Sequence, residues 1–202
     1  WYACITVKDY PKQSCGTGSV GIDLGLKDSA TASNGDKLTI KQTLKYAKQL
    51  AIAQRSNNKK RIKAIHAKIK NTRQDLIHKF TTQLVKDNAL IVVGDVRTTQ
   101  FNSKKGKLAK SVYDAGWFEL KRQLTYKCEN AGCRFEIVNE KYTTQTCSCC
   151  GDMSSSPKGR AGLRIREWTC ATCGTRHDRD INASKNILAV GLNRLVEGIP
   201  SL

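Results

Sequence analysis

The chain has 202 residues, enough for one good core with room for a small satellite module. It has no apolar run of the roughly 20 residues that a membrane-spanning helix needs, and its first residues carry no signal-peptide pattern. Its 35 basic against 17 acidic side chains leave a net charge of +18, which selects a polyanionic partner, with nucleic acid the leading class. An acidic membrane surface fits less well, because no amphipathic helix with a bulky aromatic face is present.

Residues 1–8, beginning at Trp1, read as a strand already under way. We therefore expect the chain to be the C-terminal part of a longer protein, with residues 1–16 the end of a preceding domain and its linker. Residues 19–26, SVGIDLGL, predict a strand. Alternation places Val20, Ile22, Leu24 and Leu26 on one face and Gly21, Asp23 and Gly25 on the other. The two glycines are expected to leave open space around the Asp23 carboxylate for a metal and a phosphodiester backbone. The competing expectation is an exposed Asp on an edge strand. Two short strands follow at 28–34 and 36–40, joined by a turn at Asn34-Gly35. Three antiparallel strands, the first carrying an Asp, are how an RNase H-like fold opens.

Residues 41–86 have the period of two helices with a break near Ser56-Asn57-Asn58. Residues 41–80 hold twelve Lys and Arg but one acid, Asp75. Solvated helices generally mix signs, so this face is expected to track phosphates, with Lys59, Lys60, Arg61, Lys68, Lys70 and Arg73 as candidate contacts. A buried strand is predicted at 89–96 and a basic loop at 97–109. A helix at 111–128 follows, with Trp117 in the core, and then a strand at 133–140 that ends on Glu140. A short helix is predicted at 180–192, with Gly191 near its end.

Between the last two elements lie two C-x-x-C-G knuckles, Cys147 with Cys150 and Cys170 with Cys173, separated by nineteen residues. This is zinc-ribbon spacing, with four thiolates closing a tetrahedral structural site and no position left open for catalysis. Cys149 is a rival for Cys150, but only Cys150 matches the second knuckle. Four of the nine cysteines are used in this way, and the odd total argues against a secreted disulfide scaffold. A reducing, cytoplasmic setting with bound zinc is expected instead. A ribbon is two turns pinned together, so its ends emerge close to each other. Glu140, before it, should lie near Asp180, after it. The predicted order is an α/β layout, a mixed sheet covered by helices.

These residues resemble a family. GIDLG at 21–25, the first knuckle at 144–151, WTCATCG at 168–174 and HDRDINASKNI at 177–187 look like the C-terminal half of the TnpB (OrfB) proteins of bacterial insertion sequences, which are similar to Fanzor proteins and to type V CRISPR effectors. The resemblance implies a RuvC-like nuclease domain of RNase H-like fold: a core at 17–142 with a basic helical insert at 41–88, a zinc ribbon at 143–176, and a closing helix and tail at 177–202. It implies cleavage of DNA selected by a guide RNA, with carboxylates holding magnesium or manganese. Asp23 matches the first family acid and Asp180 the last, leaving Asp178 for the helix cap or a solvent-facing role. The middle acid departs from the pattern: the usual Glu position is Gly94. Asp95 is adjacent, but one residue along a strand turns the side chain to the other face. Glu140 is the better candidate, since a subset of the family carries its Glu just before the first knuckle. Asp23, Glu140 and Asp180 are the expected catalytic trio. The alternative reading is a nuclease-dead relative that binds nucleic acid, or a truncated remnant.

Overall fold

The computed structural model describes residues 13–96, 107–153, 157, 158, 162 and 164–197. The strand expected at 1–8, most of the loop at 97–109 and the tail after 197 lie outside the described residues. Five strands, β1 (Gly18–Asp23), β2 (Ala30–Ala32), β3 (Lys37–Leu38), β4 (Asn88–Gly94) and β5 (Arg134–Val138), form one sheet in the order β3-β2-β1-β4-β5. The β3-β2-β1 part is antiparallel, and β4 and β5 continue it in parallel with β1. The fold is mixed α/β with the strand arrangement of an RNase H-like domain.

Among the described residues, five helices accompany the sheet: α1 (Gln42–Arg55), α2 (Lys59–Asp87), α3 (Lys107–Ala115), α4 (Trp117–Ala131) and α5 (Arg179–Glu197). Val20, Ile22, Ile91 and Val93 pack with Ile77, Leu84, Trp117, Leu120 and Leu124 on the α2–α4 side. Leu90, Val92 and Val138 pack with Ile187 on the α5 side. Strand alternation therefore assigns Gly21, Asp23 and Gly94 to the α5 face.

Four local differences from the sequence reading have physical causes. The first strand stops at Asp23, so Leu26 lies beyond it. The helix expected at 111–128 is two helices, because Gly116 takes a left-handed conformation (φ +71°) between them. The last helix runs through Gly191 to Glu197. Gly191 is no terminator: a Cβ there would lie 2.5 Å from Val92 Cγ2, so glycine serves close packing. The same holds at Gly21, where a Cβ would lie 2.1 Å from the Ser184 carbonyl oxygen. The space beside Gly21 is filled by α5 and is not available to a metal or a phosphodiester.

The helical break is at Ser56–Asn58 as expected, with the Asn58 side chain accepting from the Arg61 amide to cap α2. The α1–α2 pair has its own core of Tyr46, Leu50, Ala53, Ile65 and Ile69. Arg73 does not belong with the candidate phosphate contacts. It is buried, 3.6 Å from Asp114, donates to the Tyr113 carbonyl and lies over the Tyr113 ring. Asp114 also accepts from the Thr43 amide and hydroxyl at the start of α1. Arg73 thus anchors the helical pair to α3, and its charge is already matched inside the protein. Among the described residues no helix is long and apolar enough to cross a membrane.

Candidate active site

Asp23 ends β1, Glu140 lies two residues beyond the end of β5, and Asp180 is in the first turn of α5. All three line one cavity of about 380 Å³ together with Leu24–Lys27, Thr143, Thr144, Arg166 and Arg179. The parallel pairing explains how two strands deliver acids to one place: β1, β4 and β5 all end at the same edge of the sheet. Trp117 fixes the loop after Asp23 by donating its indole N–H to the Gly25 and Ser29 carbonyls, so it belongs to the core as expected.

The position of Glu140 is set against Gly94. A Cβ on Gly94 would lie 3.0 Å from Glu140 Oε2 and 3.3 Å from its Cβ. The Glu140 side chain therefore lies over the bare backbone of Gly94, in the space that a side chain at 94 would enter. Gly94 pairs with Val138 on the neighbouring strand, so Glu140, two residues further along, turns back over the same face. Asp95 points the other way, as the alternation of the strand requires. Its carboxylate is 3.0 Å from Lys121 Nζ on α4 and does not line the cavity. Glu136, deeper in β5, is buried and paired with Arg134.

Charge is concentrated here. Burial, reinforced by the negative charges of Asp180 and Glu140, pushes the Asp23 carboxyl up from its ordinary 3.8 to about 7, against the opposing effect of Arg179 and Arg166. Burial also raises the Glu140 carboxyl, with Lys121 opposing and Asp95 adding to it. Arg166 reaches across from the approach to β6 (Glu167–Thr169), placing Nη1 3.0 and 2.8 Å from the two Asp180 oxygens. Arg179 Nε lies 3.4 Å from Asp180 Oδ1. Neither arginine had a sequence signal to separate it from the many basic residues around it. Carboxylates crowded until one resists ionisation are a donor set that suits a hard divalent cation with open water positions.

Asp178 stands apart from this cavity. It accepts from the Asp180 and Ile181 amides and so caps α5, and it pairs with Lys37 of β3 at 3.3 Å. Burial works to raise its carboxyl, but the Ile181 amide and Lys37 outweigh it and hold the group below the ordinary value.

The four knuckle cysteines form one cluster, with all sulfurs within 4.8 Å of one another. Cys147 is 3.7 Å from Cys173, and Cys150 is 3.7 Å from Cys170. A tetrahedral zinc–thiolate site has sulfur–sulfur edges of about 3.8 Å, so the cluster fits a structural zinc. Gly151 and Gly174 take left-handed conformations (φ +79° and +70°), and each donates its amide back to the first cysteine of its knuckle. Cys149 is exposed and outside the cluster. His177, on β7 (Arg176–Asp178), is 3.0 Å from the Cys147 sulfur and packs on Trp168, so it supports a ligand without joining the four.

Two family models match the chain. One, described as "Probable transposase", is the OrfB model and covers residues 2–103; the other, described as "Cas12f1-like, TNB domain", covers residues 117–187. This chain belongs to the OrfB (TnpB) family. A Streptomyces pristinaespiralis protein named "Putative RNA-guided DNA endonuclease" is 38% identical to this OrfB-family chain over 87% of its length. The Escherichia coli protein of the same name, InsQ, is 32% identical over 85%. The chain spans 46% and 48% of the lengths of those relatives. A solved Cas12f1–sgRNA–target DNA complex shares the fold, with a TM-score of 0.60 at 18% identity over 90% of this chain and 51% of the other.

The Asp23 environment gives a stability prediction for protein that keeps its zinc in magnesium- and manganese-free buffer. The folded-state value of about 7 lies above the unfolded value of 3.8, so protonated Asp23 favours the fold. That stabilisation is complete below about pH 4 and is lost as pH rises through 7. The gap corresponds to roughly 4 kcal/mol at most. In urea denaturation, Asp23→Asn is expected to be more stable than the parent at pH 8 by about 2–4 kcal/mol, with the difference shrinking towards pH 5.5. A constant difference between pH 5.5 and pH 8 would contradict this account of Asp23.

Proposed function

We propose that this chain is the RuvC-like nuclease portion of an RNA-guided DNA endonuclease carried by a mobile element, and that it hydrolyses DNA phosphodiesters at the cavity shared by Asp23, Glu140 and Asp180. The observation that carries the reading is the Glu140 side chain lying over Gly94. An acid supplied from the neighbouring strand occupies the place of the one missing at 94, which favours a working nuclease over a dead relative. The names of the relatives point to the same class of activity.

In this reading Asp23, Glu140 and Asp180 hold magnesium or manganese. Bound there, these ions would supply the activation of a water nucleophile and the stabilisation of the leaving oxygen. Lys27 and Arg166 on the cavity wall draw the phosphodiester towards the acids, and Arg179 limits the repulsion between Asp180 and the entering strand. The four cysteines hold a structural zinc that keeps the segment from Glu140 to Asp180 folded back on itself. DNA and a guide RNA are the partners. Lys59, Lys60, Arg61, Lys68 and Lys70 are exposed along α2 and are proposed to contact phosphates.

Two measurements test this. Magnesium-dependent cleavage of labelled single-stranded DNA is expected to fall by ~100-fold or more in Glu140→Gln, about 2.7 kcal/mol of transition-state stabilisation. Equal cleavage by the parent and the variant would remove Glu140 from the site. For the basic face, replacing Lys59, Lys60 and Arg61 together by Ala is expected to lower nucleic-acid affinity. It should also flatten the plot of log affinity against log salt by about 2–3. An unchanged slope would place the nucleic acid elsewhere.

A further inference from the structure

The segment that joins Glu140 to the first knuckle is a tight, irregular turn. Tyr142 adopts a left-handed backbone (φ +67°), which a side chain disfavours, so the turn must be held from outside. Thr143 binds back to Glu140, donating both its amide (3.2 Å) and its hydroxyl (2.7 Å) to the Glu140 carbonyl. The Thr146 amide and hydroxyl bond the Tyr142 carbonyl in the same way.

The outside support comes from two amides one turn apart on α5. Asn186 Nδ2 donates to the Thr143 carbonyl (2.8 Å) and the Thr146 carbonyl (2.7 Å). Asn182 Nδ2 donates to the Thr146 carbonyl at 2.7 Å, with the Thr143 carbonyl at 3.4 Å. The Asn182 carbonyl oxygen accepts from the Ser148 amide, the residue after Cys147, at 2.9 Å. Asn182 is 1% exposed, so these partners replace water completely. Asp180, the acid opposite Glu140, sits two residues before Asn182 on the same helix.

We propose that Asn182 and Asn186 are positioning residues for Glu140. They clamp its turn to the helix that carries Asp180, and Asn182 ties the clamp to the first cysteine knuckle. The inference rests on the proposed role of Glu140 and adds a second layer to it. One helix supplies one acid directly and sets the place of another through two carbonyls. Asn186 serves the turn alone, whereas Asn182 serves the turn and the knuckle together, so the two substitutions have different signatures.

The test is titration of the zinc-loaded protein with Mn2+, followed by calorimetry, alongside cleavage of labelled DNA. Glu140→Gln sets the scale. Asn186→Leu, which keeps the branched shape and removes the donor, is expected to weaken Mn2+ binding by about 10-fold or more. It should lower kcat with KM for DNA, zinc content and circular dichroism unchanged, and Asn186→Gln should recover part of the loss. The double variant Asn186→Leu/Glu140→Gln is expected to bind Mn2+ no more weakly than Glu140→Gln alone, because the clamp acts through Glu140. Asn182→Ala should show the Mn2+ defect and also release zinc faster to a chelator. Parent-like Mn2+ binding by Asn186→Leu, or a further loss in the double variant, would overturn the clamp while leaving the catalytic reading intact. Parent-like binding by Glu140→Gln would overturn both.

Discussion

Helix α5 lies against β1 and β4 at a separation that only glycine permits, and the site depends on that approach. At Gly21 the helix backbone takes the space of a missing side chain, and at Gly191 the helix gives up its own side chain to Val92. The result is that Asp180, at the start of α5, faces Asp23 at the end of β1. Any Cβ at these positions would lift the helix and move the two acids apart. Ile187, packed with Val92 and Val138 from the same helix, then forms the floor beneath Gly94 and Glu140.

The departure at Gly94 follows from the geometry of parallel strands. Neighbouring parallel strands end side by side, so a side chain just past the end of one can reach the space above the end of the other. Glu140 does this from β5. The cavity that results is under electrostatic tension, with one carboxyl pushed up to about 7 by burial and by its neighbours. The arginines beside Asp180 offset part of that tension. An occupying divalent cation would relieve more of it, which is how a fold can tolerate acids that it would otherwise expel.

Much of this was legible where chemistry is written in short spacings. The cysteine knuckles marked the four-cysteine cluster, strand alternation put Asp23 on its own face, and the flip between Gly94 and Asp95 correctly sent Asp95 away towards Lys121. Asp180 lines the cavity, as the resemblance implied, and Asp178 caps α5. What failed was tertiary. Gly21 looked like room for a substrate and is room for a helix, and Gly191 looked like a stop and is a contact. Arg73 was one cation in a basic run, and only the fold reveals Asp114 beside it. Arg166 has no spacing that marks it, and Asn182 and Asn186, though inside HDRDINASKNI, carry no sign of their partners, which lie far away in the chain.

The central claim is that Glu140 completes a metal-binding trio with Asp23 and Asp180 above Gly94. The most direct measurement is an anomalous difference map from crystals of the protein grown with Mn2+. The account predicts manganese density in the cavity, with Glu140 among the ligands together with Asp23 and Asp180. Density held by Asp23 and Asp180 with Glu140 turned away, or manganese bound through Asp95, would contradict it.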